Sequence, residues 1–279
     1  MQATQYRRTM VTNTRAHPGE LLRQWRLRRR FSQLDLATRA EVSTRHLSFV
    51  ETGRARPSPE MIVHLAEHLT VPLRERNRIL LAGGYAPRYN QTPLADPSMA
   101  AVRTAVQLVL DAHRYPAIVV DGRWNLVDMN PAAAILIGGV DPELLVPPVN
   151  VVRMSLHPRG LAPRIGNLAE FAEHILWRVR HLVDISADAE LIALYDEIAG
   201  YAPAPSGHAT DVGAVLPLVL DTDLGDVRMF SLIATFGTPL DVTIDELTIE
   251  AFYPMDDESR ELLERLSPVG VAAGVGVGV

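Results

Sequence analysis

From His17 to about residue 85, apolar positions recur every three to four residues, the spacing of helices with one buried face. Leu21, Leu22 and Trp25 form the first stripe, on a helix that Pro18 opens and Arg28, Arg29 and Arg30 close. Ser32, with Asp35 three residues on, has the form of a capping box at the start of a second helix. Ser43 is placed to cap a third helix that runs to about Thr52, with Gly53 just past its end. Ser58-Pro59-Glu60 starts a fourth, carrying Met61, Ile62, Leu65 and Leu69 on its inner face. Pro72 opens a fifth, with Leu73, Leu80 and Leu81, and Gly83-Gly84 stops it. The pattern predicts a compact all-α domain over residues 17–85, behind a flexible arm at 1–16.

The grain then changes. Residues 86–98, polar and proline-bearing, read as a linker. Met99–Ala112 is amphipathic, with Val102, Val106 and Val109/Leu110 on one stripe, suited to covering the next domain or a partner subunit. Ala117–Val120 and Trp124–Met129 are strand-like, joined by a turn at Asp121-Gly122-Arg123. Asn130-Pro131 begins a short helix over 132–137, and helical segments follow at 149–157, 167–185 and 188–199. Pro203-Ala204-Pro205-Ser206-Gly207 breaks the chain. Strands at 215–220, 227–236 and about 246–252 come next, then a helix at 258–266. Two strands before the central helices and three after them predict an α+β domain over 99–266 with a five-stranded antiparallel sheet. Its opening resembles that of a PAS domain. The low-complexity tail, 267–279, is expected to be disordered; its G-x-G spacing follows no strand and is no nucleotide loop.

Composition narrows the choices. The apolar fraction of 47% is enough for two cores, and the absence of cysteine excludes disulfides, thiolate metal sites and iron–sulfur clusters. No apolar run reaches membrane-span length, so a cytoplasmic protein is expected. Charge is divided unequally. Residues 1–88 hold 16 Arg and 7 acids, a balance of +9, and the remainder holds 11 Arg and 26 acids, −15. A basic first third on an acidic chain fits double-stranded DNA bound by one end.

The third helix says how. On its wheel Leu47 and Val50 face inward, while Arg45, Ser48 and Phe49 share the free face. In a major groove Arg takes guanine O6 and N7, and Phe rests on a thymine methyl. Arg45, Ser48 and Phe49 are therefore the expected base readers, flanked by Thr44, with Gln33, Ser43, Arg54 and Arg56 on phosphates. A plain helical hairpin with a charged outer face is the competing reading. His64, Glu67 and His68 match the H-x-x-E-H spacing of zinc peptidases, but no cleft or third ligand accompanies them, and a solvent-facing pair is expected. No catalytic residue, nucleotide loop or metal cluster is expected. His113, His157, His174, His181 and His208 are of the type that ligates haem in some PAS sensors, but a lone histidine is more often a satisfied surface or core residue, and no haem is expected.

The segments SQLDLA, VSTRHLSFVETGRARPS and PLRERNRILLAGGYAP closely resemble the xenobiotic-response-element (Xre/Cro-like, lambda-repressor-like) helix-turn-helix regulators. Together with AIVVDGRWNLVDMNPAA, NVVRMSLHPRGLAPRIGN and ATFGTPLDVTIDELTIEAFYP, they resemble the subgroup with a MmyB-like ligand-binding domain, from about His17 to Asp257. The resemblance implies a PAS-like fold with an apolar pocket for a fatty-acid-like or other small apolar ligand, and no required cofactor. It also implies a homodimeric regulator on a palindromic operator. Expected pocket walls are Trp124, Leu126, Phe171, Ile175, Leu216, Leu218, Phe230, Leu232 and Phe236, although such stripes also suit an ordinary core. Arg153, His157 and Arg180 are the expected anchors for a ligand carboxylate, Arg being able to bind it in a bidentate fork. The alternative is a DNA-binding regulator whose second domain mediates only dimerisation or protein contact, with a filled core.

Overall fold

The computed structural model describes residues 17–186, 188–203 and 215–266. The expected arm, the expected tail, the chain break beyond residue 203 and His208 lie outside the described residues. The chain divides into two units, Met1–Gln91 with Leu240–Val242, and Thr92–Pro239 with Thr243–Val279.

The first unit contains five α-helices among its described residues: α1 (Pro18–Arg28), α2 (Gln33–Arg39), α3 (Thr44–Glu51), α4 (Pro59–His68) and α5 (Leu73–Ala82). Each of the first four starts on a side-chain cap. His17 accepts from the Gly19 N–H, Ser32 from Asp35 in a full capping box, Ser43 from His46 and Ser58 from Met61. Leu22, Leu36, Leu47, Val50, Ile62, Leu65, Ile79 and Leu80 fill the core and are almost wholly excluded from solvent. Gly19 lets α1 lie on α3: a Cβ there would stand 1.8 Å from the Val50 carbonyl oxygen.

The second unit is built on a sheet of order β2-β1-β5-β4-β3, with every neighbouring pair antiparallel. Its strands are β1 (Ala117–Val120), β2 (Leu126–Met129), β3 (Leu218–Thr222), β4 (Gly225–Thr235) and β5 (Thr248–Pro254). The helices are α6 (Ala100–Ala112), α7 (Val151–Leu156), α8 (Leu168–Ser186), α9 (Ala189–Ala199), the short α10 (Val242–Glu246) and α11 (Asp257–Leu266). The expected turn of helix after Asn130 is 3-10 rather than α, over Pro131–Leu136. Asn130 ties it down by accepting from the Ala117 and Ala133 N–H groups and donating to the His113 and Tyr115 carbonyls. All four capacities of that buried amide are used.

Both faces of the sheet are covered. Ile118, Val120, Leu218, Leu220, Val227, Met229 and Phe252 join α7, α8 and α9 in the larger core. Ala117, Val119, Ile249 and Ala251 meet Val106 and Leu110 of α6 in a smaller one. The amphipathic stripe of α6 therefore packs on the sheet.

Candidate functional site

The first unit presents α3 with its inner face anchored and its outer face free. Leu47 and Val50 are fully buried, and Glu51 beside them is 5% exposed. Arg26 of α1 grips Glu51 in a fork, Nε to Oε1 at 2.6 Å and Nη2 to Oε2 at 2.8 Å. Gln33 of α2 adds a bond from Nε2 to Oε2 at 2.8 Å. One carboxylate thus joins three helices and fixes the pitch of α3.

On the opposite side Thr44, Arg45 and His46 are exposed, and Ser48 and Phe49 are half-buried. The Arg45 guanidinium lies 5.4 Å from the Phe49 ring centre and that of Arg54 lies 5.9 Å from it. Phe49 is therefore a platform for two cations, within the range of a favourable cation–π contact. Two residues expected on phosphates are already engaged within the fold. Gln33 holds Glu51, and Arg56 donates through Nη2 to the Gly83 carbonyl at 2.7 Å and covers the Tyr85 ring at 5.2 Å. Arg56 latches the α3–α4 connection to the end of α5, whatever else it contacts. Ser43 uses its oxygen as the α3 cap.

The second unit encloses a cavity of about 70 Å³ between the inner sheet face, α7 and α8. Its walls include Trp124, Leu126, Phe171, Ile175, Leu216 and Leu218, together with Met129, Leu136, Met154, Met229 and Phe252. It is not wholly apolar: Ser155, His174, Arg178, Ser231 and Glu250 also line it. Arg178 Nη1 donates to Glu250 Oε1 at 2.9 Å, with both side chains largely buried, and its guanidinium lies 4.5 Å from the Trp124 ring centre. Burial first, and the neighbouring Arg178 charge second, push His174 below its ordinary value. The Trp124 Nε1–H is buried and has no hydrogen-bond partner. Trp124 itself stands at φ +65°, a left-handed conformation unusual for so large a residue. Its own N–H bond to the Asp121 carbonyl and a bond from the Val151 N–H to its carbonyl hold it there.

Six residues expected at the cavity lie elsewhere. Phe230 and Leu232 belong to the other face of β4, and Phe236 lies just past its end: Phe230 stacks on Tyr253, Leu232 is 56% exposed and Phe236 packs on the α6 core. The strand carries apolar residues on both faces, so alternation alone does not select the inner one, which is Val227, Met229 and Ser231. Arg153 and His157 are held outside the lining. Arg153 forks onto Glu197 at 2.5 and 2.7 Å, and His157 meets the Tyr201 ring edge-on. Arg180, a third expected anchor, covers the Tyr195 ring.

A family model described as the MmyB-like transcription regulator ligand binding domain matches residues 102–266, and a helix-turn-helix domain model matches residues 19–79. The chain belongs to the MmyB-like transcription regulators. No curated protein matches it. In this regulator the helix-turn-helix model spans α1 to α4 and most of α5, and the ligand-binding model spans both sheet-covering layers and the cavity. The matched domains are regulatory rather than enzymatic, and no group of three or more metal-binding side chains occurs among the described residues. The H-x-x-E-H segment has a structural use: His64 Nε2 meets the Ala40 carbonyl at 2.7 Å, and Glu67 pairs with Arg76. Half-buried and bonded, His64 is not the solvent-facing residue expected from the sequence. No described helix is long and apolar enough to cross a membrane.

The polar end of the cavity was missed by sequence reasoning, yet it left a signal. Arg178 follows Phe171 and Ile175 on the inward stripe of α8, and Glu250 sits at an inward position of TIEAFY. A charge on each of two buried faces is what an internal ion pair requires.

Proposed function

We propose that this DNA-binding regulator reads its operator with Arg45, Ser48 and Phe49, and that a small apolar molecule in the Trp124–Arg178 cavity sets its DNA affinity. The cavity, with the buried, unpartnered Trp124 Nε1–H in its wall, is the observation that carries the ligand reading. A core that served only protein contact would have no use for it. The resemblance implies a fatty-acid-like ligand. At about 70 Å³ the cavity is smaller than the ~150 Å³ that holds a benzene-sized molecule, so an acyl chain enters only as the walls move apart. Met129 and Met229 of the sheet and Met154 of α7 supply adaptable wall.

The regulator acts on DNA in the cytoplasm as a homodimer, with half-sites about one helical turn apart on a palindromic operator. Leu108 and Val109 of α6, 65% and 37% exposed, support a subunit contact on that helix. Thr44 and Arg54 flank the reading face, and Gln33, Ser43 and Arg56 lie at its edges as phosphate contacts. Binding of purified protein to operator and to random DNA tests the reading surface. Arg45→Ala should cost about 1–3 kcal/mol on operator alone and relax one base position. Equal loss on both DNAs would remove Arg45 from the groove. For the ligand, organic extraction and mass spectrometry identify any bound compound, whose addition must change operator affinity. A protein that holds none, and whose DNA affinity no added apolar molecule alters, is a protein-contact regulator instead.

A further inference from the structure

The polar end of the cavity carries a charge balance that restricts its ligand. Arg178 is the only cationic guanidinium in the lining among the described residues, and Glu250 already neutralises it at 2.9 Å. The pair is buried, with side-chain exposures of 12% and 7%. His174, the other basic group of the lining, is held toward its neutral form by burial and by Arg178. An entering carboxylate would meet Glu250 without a free counter-charge, or would have to pull Arg178 from its partner and leave Glu250 buried alone. Either outcome is costly.

One donor is free. The Trp124 indole can only donate, and its Nε1–H is buried and unpaired. Trp124 is 6% exposed and lies under the same guanidinium, so donor and ion pair share one end of the cavity. A buried N–H without a partner costs free energy that a ligand acceptor would recover. The left-handed backbone at Trp124, held by Asp121 and Val151, sets this indole in place before any ligand arrives.

We propose that the cavity selects an uncharged head group, whose carbonyl oxygen accepts from Trp124 Nε1, and discriminates against free carboxylates. This rests on the ligand-controlled reading above and specifies its chemistry: within the acyl class, amides and esters are preferred to the acid.

Calorimetric titration of the full chain with two matched pairs, benzamide against benzoate and octanamide against octanoate, tests the selectivity, with ethylbenzene as the hydrocarbon lacking an acceptor. Each amide should bind on the order of tenfold tighter than its carboxylate. Trp124→Phe should weaken the amides roughly threefold to tenfold and leave ethylbenzene unchanged. Glu250→Gln, which frees the Arg178 charge, should shift the preference toward the carboxylates, with thermal melting reporting whether each variant folds. The wild-type titration needs no variant: carboxylates that bind as well as amides overturn the proposal. If they do so while shifting operator affinity, ligand control stands and only the head-group assignment fails. If none of the five compounds binds, both fail.

Discussion

Position 19 tolerates no side chain, because the Val50 carbonyl oxygen of α3 occupies the space where a Cβ would go. Gly19→Ala must push α1 away from α3 and should cost about 1–3 kcal/mol, read as a lower unfolding midpoint, with operator binding weakened in parallel. An unchanged midpoint would mean that the two helices do not approach this closely. His174 makes a prediction of its own. Its folded-state value lies below its unfolded value, so the unfolded chain takes up the proton first as the pH falls. Stability from this group is present above about pH 6.5 and is lost as the pH falls below it. The wild type should therefore lose stability relative to His174→Gln over that range, whereas parallel pH profiles would dismiss the effect. At this scale the sequence was legible where local chemistry acts alone, as with Ser32 and Asp35. Arg178 and Glu250 were not legible as a pair, because nothing local brings residues 72 apart in the chain together.

Elements were legible in kind more than in facing. The helix starts at Ser32, Ser43 and Ser58 are written in their caps, and the long periodic α8 in its stripe. β4 is different. Apolar residues stand at both sets of alternate positions, Leu232 and Ile233 both being more than half exposed, and the phase is fixed only by pairing Ser231 with Phe252 and Leu232 with Ala251. The junction of α1, α2 and α3 at Glu51 supplies the element-scale prediction. Glu51→Ala leaves Arg26 buried with half its partners gone and should cost about 3–5 kcal/mol in denaturant unfolding. Operator affinity should fall with it, since the pitch of α3 depends on that carboxylate. A loss under 1 kcal/mol would show that the junction is dispensable.

The whole molecule joins a helical unit with a basic sequence to an acidic sheet unit, each with a core of its own. Coupling between two binding functions is reciprocal: if a ligand changes operator affinity by some factor, saturating operator DNA changes ligand affinity by the same factor. Ligand titrations with and without operator should agree with operator titrations with and without ligand. A compound that alters operator binding, but whose cavity occupancy, read by displacement of a cavity ligand, is the same with and without operator, would be acting through another site. The order of the sheet has a consequence for synthesis. β5, paired with β1 on one side and β4 on the other, is the last strand to be translated. At about 5–20 residues per second, a ribosome needs on the order of ten seconds to travel from Val120 to Thr248. During that interval Ala117–Val120, wholly buried in the finished sheet, has an open edge toward the missing strand. A message cut short before Thr248 would therefore yield an aggregating fragment for proteolysis, rather than a repressor or activator deaf to its signal.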